Sequence, residues 1–496
     1  MKAEMRRKGR NFFMGKQYSI HIMNAKKKKI LFILGGGAVA LVLAVVIFAL
    51  TFDINSYRPR IEAAASETTG LDVRINGKIR LSFFPFGVSA KDIHVANKGG
   101  EILSLENLRI GAELIPLLKK QLKVTRCELV KPVVTIVKDA DGKYNFESTE
   151  KKSTEGQLRA AFSLSELKLS KGVIVYLDKK TGGKTEFKDF NLAIKDLSIA
   201  GDVIKNASFT GSFDCKEVRK GNLKIDNVKI PIKMEKGVIY LMSLTMDIFG
   251  AKAEGDAAAD KSEADAVYKI NLKISKLDFE KLQESFGTKK VIGGKGDIHA
   301  SLTIKEKGSR NLLSSMDGTF SLRGDNLVIY TMDLDTVLSK YETSQKFNLV
   351  DLGAFFIAGP LGTIALKGYR YGDVYHQTRG GQGTITQFIS QWKIRDGVAD
   401  ATDCALATRH NRVALKGKLN LVSERYDNVM VALLDDKGCA KFKQGIRGSF
   451  GSPEVGAVSA VGSLAEPIFD LYRKAKRFVQ GGKCEVFYNG AVQQPR

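Results

Sequence analysis

Proline is scarce in this chain, at nine residues, and tryptophan occurs once. That scarcity excludes a proline-rich linker protein and collagen, despite 48 glycines. Cysteine is limited to five residues with no CxxC spacing, which removes the zinc-ribbon and thioredoxin-type signatures. There is no Walker loop, no HExxH, no GxSxG and no strand-GxGxxG-helix unit. The Gly380-Gly381-Gln382-Gly383 cluster lacks the lysine and the following helix of a phosphate loop and reads as an ordinary loop. His21, His94, His299, His376 and His410 are scattered, with no paired ligand spacing. Asp333 with Asp335, and Asp435 with Asp436, read as solvated or capping carboxylates, with a divalent-ion site as the alternative. No catalytic residue, metal ligand or cofactor is expected, and the chain does not read as an enzyme.

What is present begins with one long apolar run. Residues 30–52, ILFILGGGAVALVLAVVIFALTF, carry no charge. As a helix they would extend about 35 Å, enough for a hydrocarbon core of about 30 Å. A cleaved signal peptide has a shorter apolar region, and Ala63-Ala64-Ala65 lies too far downstream to serve this run as a cleavage site. A retained membrane anchor is expected. Ten of the 29 residues before it are Lys or Arg, including Lys26 to Lys29, whereas Arg58 and Arg60 are the nearest positive residues after it. The basic flank places the N-terminus in the cytoplasm and the chain from about Asp53 onward outside it. Met23 opens a complete basic-then-apolar leader, so residues 1–22 are either an over-extended gene model or a short cytoplasmic tail.

The net charge of +24 raises nucleic acid or an anionic membrane as partners. Residues 1–29 supply +9 of it, from ten basic residues and one acidic. The other basic residues are interleaved along strands with acids among them and form no aromatic-rich basic stripe. Nucleic acid is therefore not expected as a partner.

Beyond Gly70 apolar residues alternate with polar ones, the mark of strands with one apolar face. Val228, Ile230, Ile232 and Met234 alternate with Lys229, Pro231 and Lys233. Val238, Tyr240, Met242, Leu244, Met246 and Ile248 keep the same spacing, as do Tyr268, Ile270, Leu272 and Ile274. Shorter pieces recur at Phe190–Ile194, Ile298–Ile304, Val413–Leu421 and Val429–Leu433, with turn signals such as Asp139-Ala140-Asp141-Gly142, Glu235-Lys236-Gly237 and Gly293-Gly294 between runs. Helices are expected over 53–67, Asn311–Ser315, Leu334–Tyr341 and Ser463–Val479. With 44% hydrophobic residues a folded core is expected, as about three domains or one continuous architecture. Periodicity leaves a barrel, a sandwich and a groove open. Outside the cytoplasm disulfides persist, and Cys439 with Cys484 is the preferred pair, stapling the last helix to the sheet.

The residues after the anchor, TGLDVRINGKI (69–79) and LSFFPFGVSAKDIHVAN (81–97), resemble the N-terminal signature of the AsmA family of bacterial envelope proteins. Residues 316–341, 389–408, 411–421 and 446–455 resemble its C-terminal part. The resemblance implies an inner-membrane anchor followed by an elongated, mostly antiparallel β-groove in the periplasm with a few short helices. The expected division is a basic tail at 1–29, the anchor at 30–52, and two β regions at 53–310 and 311–496. The expected work is outer-membrane biogenesis, by binding or conducting phospholipid acyl chains. The expected lining is Val228, Ile230, Ile232, Val238, Tyr240, Met242, Leu244, Met246, Ile248, Ile270, Leu272 and Ile274. Expected partners are phospholipid or another envelope lipid, the inner membrane, and outer-membrane assembly factors. The alternatives are a scaffold or modulator of outer-membrane protein or lipopolysaccharide assembly without a conduit and, further off, an anchored enzyme.

Overall fold

Strand follows strand along this chain with little between them, because each alternating run can pair with the next only by turning back on it. The structure is a computed structural model describing residues 53–83, 86–97, 100–113, 116, 123–147, 162–199, 203–263, 265–287, 290–306, 308, 311–330, 333–338, 381–456, 459–460 and 486–495. The chain divides into two compact units, 1–59 and 60–496. In the first, Asp53 accepts the Asn55 backbone N–H at 2.9 Å and caps a 3-10 turn, Ile54–Tyr57. Among the described residues no helix is long and apolar enough to cross a membrane; the run 30–52 lies outside them.

In the second unit the described residues form one sheet of 23 strands. The first stretch holds β1 (Asp72–Ile75), β2 (Ile79–Phe83), β3 (Phe86–Asn97), β4 (Gly100–Ala112), β5 (Val124–Val130) and β6 (Val133–Lys138). Next come β7 (Phe162–Asp178), β8 (Gly183–Ile199), β9 (Ser208–Lys220), β10 (Leu223–Glu235), β11 (Val238–Ile248), β12 (Ala251–Asp260) and β13 (Val267–Asp278). The remainder is β14 (Ile292–Gly293), β15 (Lys295–Lys305), β16 (Met316–Ile329), β17 (Gly383–Arg395), β18 (Val398–Ala407), β19 (Arg412–Asn420), β20 (Arg425–Leu434), β21 (Ala440–Ser449), β22 (Ser452–Val455) and β23 (Ser459–Ala460). From β7 onward each long strand pairs antiparallel with the next. The exception to antiparallel pairing is β7, which runs parallel to β5 and β6. β15 and β16 pair over nine register positions, so the sheet passes residue 310 without a break.

Helices α1 (Arg58–Thr69), α2 (Val203–Asn206) and α3 (Phe279–Ser285) are short. From α1, Ser66 Oγ and Glu62 Oε1 accept the backbone N–H groups of Val73 at 2.9 Å and Ile75 at 2.6 Å. The first edge strand is thereby blunted against further pairing. Asp278 caps α3, which buries Phe279 and Leu282 completely. The expected helix at 311–315 is a 3-10 turn, Leu312–Ser315, and helix is present at 334–338. Residues 463–479 lie outside the described ones.

Regular alternation is interrupted along one line across the sheet. Asp92, Lys131, Lys171, Asp189 and Asn227 have φ between 52° and 55°. They sit at matching levels on β3, between β5 and β6, and on β7, β8 and β10. At that line the phase slips by one. Ala90 and Ile93, Leu105 and Leu108, Phe187 and Phe190, and Val228 and Ile225 are each three apart yet share a face. A residue in the left-handed region lets the strand bulge and keep its apolar residues on one side. Gly172 belongs to the same device: a Cβ there would lie 2.3 Å from the Phe190 ring.

Ser243 in β11 is a further bulge, with φ 50°. Ser243→Val should destabilise the protein by about 1–2 kcal/mol, because a β-branched residue resists this conformation. Ser243→Gly should not. Chemical denaturation of both variants checks the assignment.

Candidate functional site

Cross-strand partners lie on the same face of a sheet, so the register traces that face residue by residue. From Leu81 in β2 the partners run Val88, Ile110, Cys127, Leu167, Ile194 and Gly211. They continue through Ile232, Leu241, Ala257, Ile270, Leu302 and Gly318. The row ends with Ile394, Ala399, Leu419, Tyr426 and Gly448 in β21. No charged residue, amide or aliphatic hydroxyl interrupts it.

A second row lies beside the first, through Leu129, Leu169, Leu192, Phe213 and Ile230. Beyond the Ser243 bulge it resumes at Leu244, Gly255, Leu272, Ala300, Phe320 and Trp392. A third, across the line of bulges, reads Val73, Val95, Leu103, Val134, Ile174, Phe187, Val218, Ile225, Ile248 and Ala251.

The face is not equally covered along its length. In β16 to β20, Leu322, Val413, Val431 and Leu433 are at most 1% exposed and belong to one core with α3 and residues 334 and 338. In β7 to β13 the same face is more open. Phe190, Cys215 and Val228 are buried against one another, and Leu244 and Ile274 are also buried, but Leu169, Phe213, Ile230, Ile232, Leu241 and Leu272 are half-buried and Ile270 is 38% exposed. This half-buried stretch is the candidate site.

Nine of the twelve expected lining residues share its face: Val228, Ile230, Ile232, Leu244, Met246, Ile248, Ile270, Leu272 and Ile274, of which Val228, Leu244 and Ile274 are buried. Val238, Tyr240 and Met242 lie on the opposite face, where Tyr240 is 39% and Met242 47% exposed. The cause is the Ser243 bulge: Leu241 and Leu244 are three apart, but their partners Ala257 and Gly255 are two apart. Ile239 and Leu241 take the places expected for Tyr240 and Met242. The segment VIYLM has apolar residues in both phases, so alternation alone could not choose between them.

The opposite face is polar over the same strands, and several of its charges are paired. Glu217 in β9 meets Lys188 at 3.0 Å and Arg219 at 3.2 Å; Lys184 meets Glu186, and Lys224 meets Asp226. Hydrogen bonds from Arg219 and then Lys188 hold the Glu217 carboxyl down at about 2. A depression of about 400 Å³ on that face is lined by Glu254, Lys273, His299, Ser301, Thr319, Ser321 and Gln391 among others. His94 is bridged between Asp92 and Glu101, which raise its pKa, Glu101 first.

Under β17 to β20 even the second face is closed. Ala405, Ala407, Ala414 and Ala432 pack beneath Tyr488 and Val492 of segment 486–495. Asp403 accepts the Tyr488 hydroxyl at 2.6 Å and the Ala491 N–H at 3.1 Å. Cys439, whose backbone pairs with Val486, is disulfide-bonded; Cys484, its expected partner, lies outside the described residues. Cys127, Cys215 and Cys404 are free thiols, and burial pushes Cys404 up to about 12.

The aspartates open to a metal reading have structural work. Asp333 accepts from Asp335 N and Thr336 Oγ1, and Asp335 accepts from Thr408, the His410 backbone and Asn411. No group of three or more metal-ligating side chains occurs among the described residues.

A model of the AsmA family matches residues 25–221 and, again, residues 212–404. No curated protein and no solved structure matches the chain.

Leu241→Asp and Leu244→Asp should each destabilise the protein by at least ~2 kcal/mol, while Met242→Asp stays within ~0.5 kcal/mol. Urea denaturation of the three variants reads the difference. Glu217 gives a pH signature. Its depressed carboxyl stabilises the fold above the ordinary value of 4.5 and loses that contribution as pH falls toward about 2. Glu217→Gln should flatten the acid limb of a stability–pH curve in that interval.

Proposed function

Because this chain belongs to the AsmA family, we propose that it serves the bacterial envelope by binding lipid acyl chains on the half-buried apolar face of β7 to β13. The carrying observation is the uninterrupted apolar row from β2 to β21. Burial of each acyl CH₂ group would contribute about 0.8 kcal/mol. A chain lying across the strands would exchange each apolar contact for a similar one as it moves. Sliding would then cost little, while leaving the face for water would cost much.

The two ends of the sheet favour different roles. The core over β16 to β21 is packed to near-zero exposure, so acyl chains fit the middle strands better than that end. An anchor at 30–52 would put the bulk of the chain in the periplasm. Transport between membranes would then use the middle strands as a carrying surface, with other envelope components completing the path.

Native mass spectrometry of the detergent-extracted, full-length protein tests the proposal. Phospholipid should copurify with the wild type and be lost from Ile232→Asp with no loss from Met242→Asp. Protein free of lipid under conditions that preserve the fold would favour the scaffold alternative.

A further inference from the structure

The apolar face changes character at one rim. One step beyond the Ile174–Phe187–Val218–Ile225 row, the register reads Ile136, Tyr176, Thr185, Lys220 and Leu223. A phenol, a hydroxyl and an ammonium group thus stand on the apolar side of three neighbouring strands, within two strand spacings of about 4.8 Å each. Tyr176 and Thr185 are half-buried and Lys220 is exposed.

Most charge of this region lies on the opposite face, where Glu186, Glu217 and Asp226 pair with Lys184, Lys188, Arg219 and Lys224. On the rim's own face one carboxylate follows, Asp178, two residues beyond Tyr176 and opposite Lys138. Asp178, at the hairpin, accepts the backbone N–H groups of Lys180 and Thr181. These bonds, Thr181 first, and then the charge of Lys138 lower its pKa. Among the described residues Lys220 has no ion pair, and neither have the exposed Lys179 and Lys180 at the adjoining tip. The other rim differs: Met234, Ile239, Ala259 and Ile304 keep it apolar, and the Tyr268 hydroxyl there is committed to Glu306 at 2.8 Å.

We infer that the rim at Tyr176, Thr185 and Lys220 binds the phosphate-bearing, anionic head group of a lipid whose acyl chain lies on the apolar rows. The inference rests on the acyl-chain reading and adds to it the residues that hold the head group. Two hydroxyl donors and a cation match phosphate oxygens, and charge-assisted hydrogen bonds of this kind are the strong ones. Because the rim is exposed, the preference should weaken with salt.

The test uses the detergent-solubilised full-length protein and three probes: lysophosphatidylglycerol, a monoacylglycerol of equal chain length, and inorganic phosphate. Wild type should bind the lysophospholipid about tenfold more tightly than the neutral lipid, as expected for charge-assisted contacts. Lys220→Ala with Tyr176→Phe should abolish that preference and leave monoacylglycerol binding unchanged; if the double variant unfolds, Lys220→Ala alone should reduce the preference. Equal binding of both lipids by wild type would overturn the head-group site and leave the acyl-chain reading standing. Binding of neither lipid would overturn both. Inorganic phosphate binding as tightly as the lysophospholipid would mark a free-anion site and overturn the inference.

Discussion

One face of the sheet must stay apolar across every strand, and the rest of the structure answers to that constraint. A strand that slips by a single residue turns all its side chains over. Here the chain slips repeatedly and still keeps its face, because many of the slips are absorbed by a residue in the left-handed region. Asp92, Lys131, Lys171, Asp189 and Asn227 absorb it along one line. Their identities suit that conformation, since Asp and Asn tolerate positive φ best and the lysines are exposed at their positions.

The same constraint explains how the two ends of the sheet differ from its middle. Toward β21 the apolar face is roofed by α3 and residues 334 and 338, and the reverse face is roofed by segment 486–495. Both faces there are apolar, and both are buried. Over β7 to β13 the reverse face carries ion pairs, and the apolar face stays half-buried outside the cluster of Phe190, Cys215 and Val228 and the buried Leu244 and Ile274. Under the proposed function an acyl chain covers that surface.

Much of this was legible from residue order. Strand content, antiparallel pairing and most turns follow from period-two runs such as 228–234 and 268–274. The phase of 238–242 was not, because VIYLM is apolar in both registers and only the backbone at Ser243 decides. The parallel placement of β7 was equally hidden: it depends on where residues after Lys138 carry the chain, and no local pattern encodes that. The polar rim is not legible in residue order, because Tyr176, Thr185 and Lys220 lie on three strands and meet only through the register. Cys127 gave no sign of lying in the central apolar row, since a lone thiol in VTRCELV reads equally well on either face.

Site-specific photocrosslinking in living cells tests the central claim most directly. A benzophenone side chain placed at Leu241 or Ile270 should form adducts with phospholipid, and one placed at Tyr240 or Met242 should not. Equal lipid adducts from both sets, or none from Leu241 and Ile270, would contradict the assignment of the apolar face as the lipid surface.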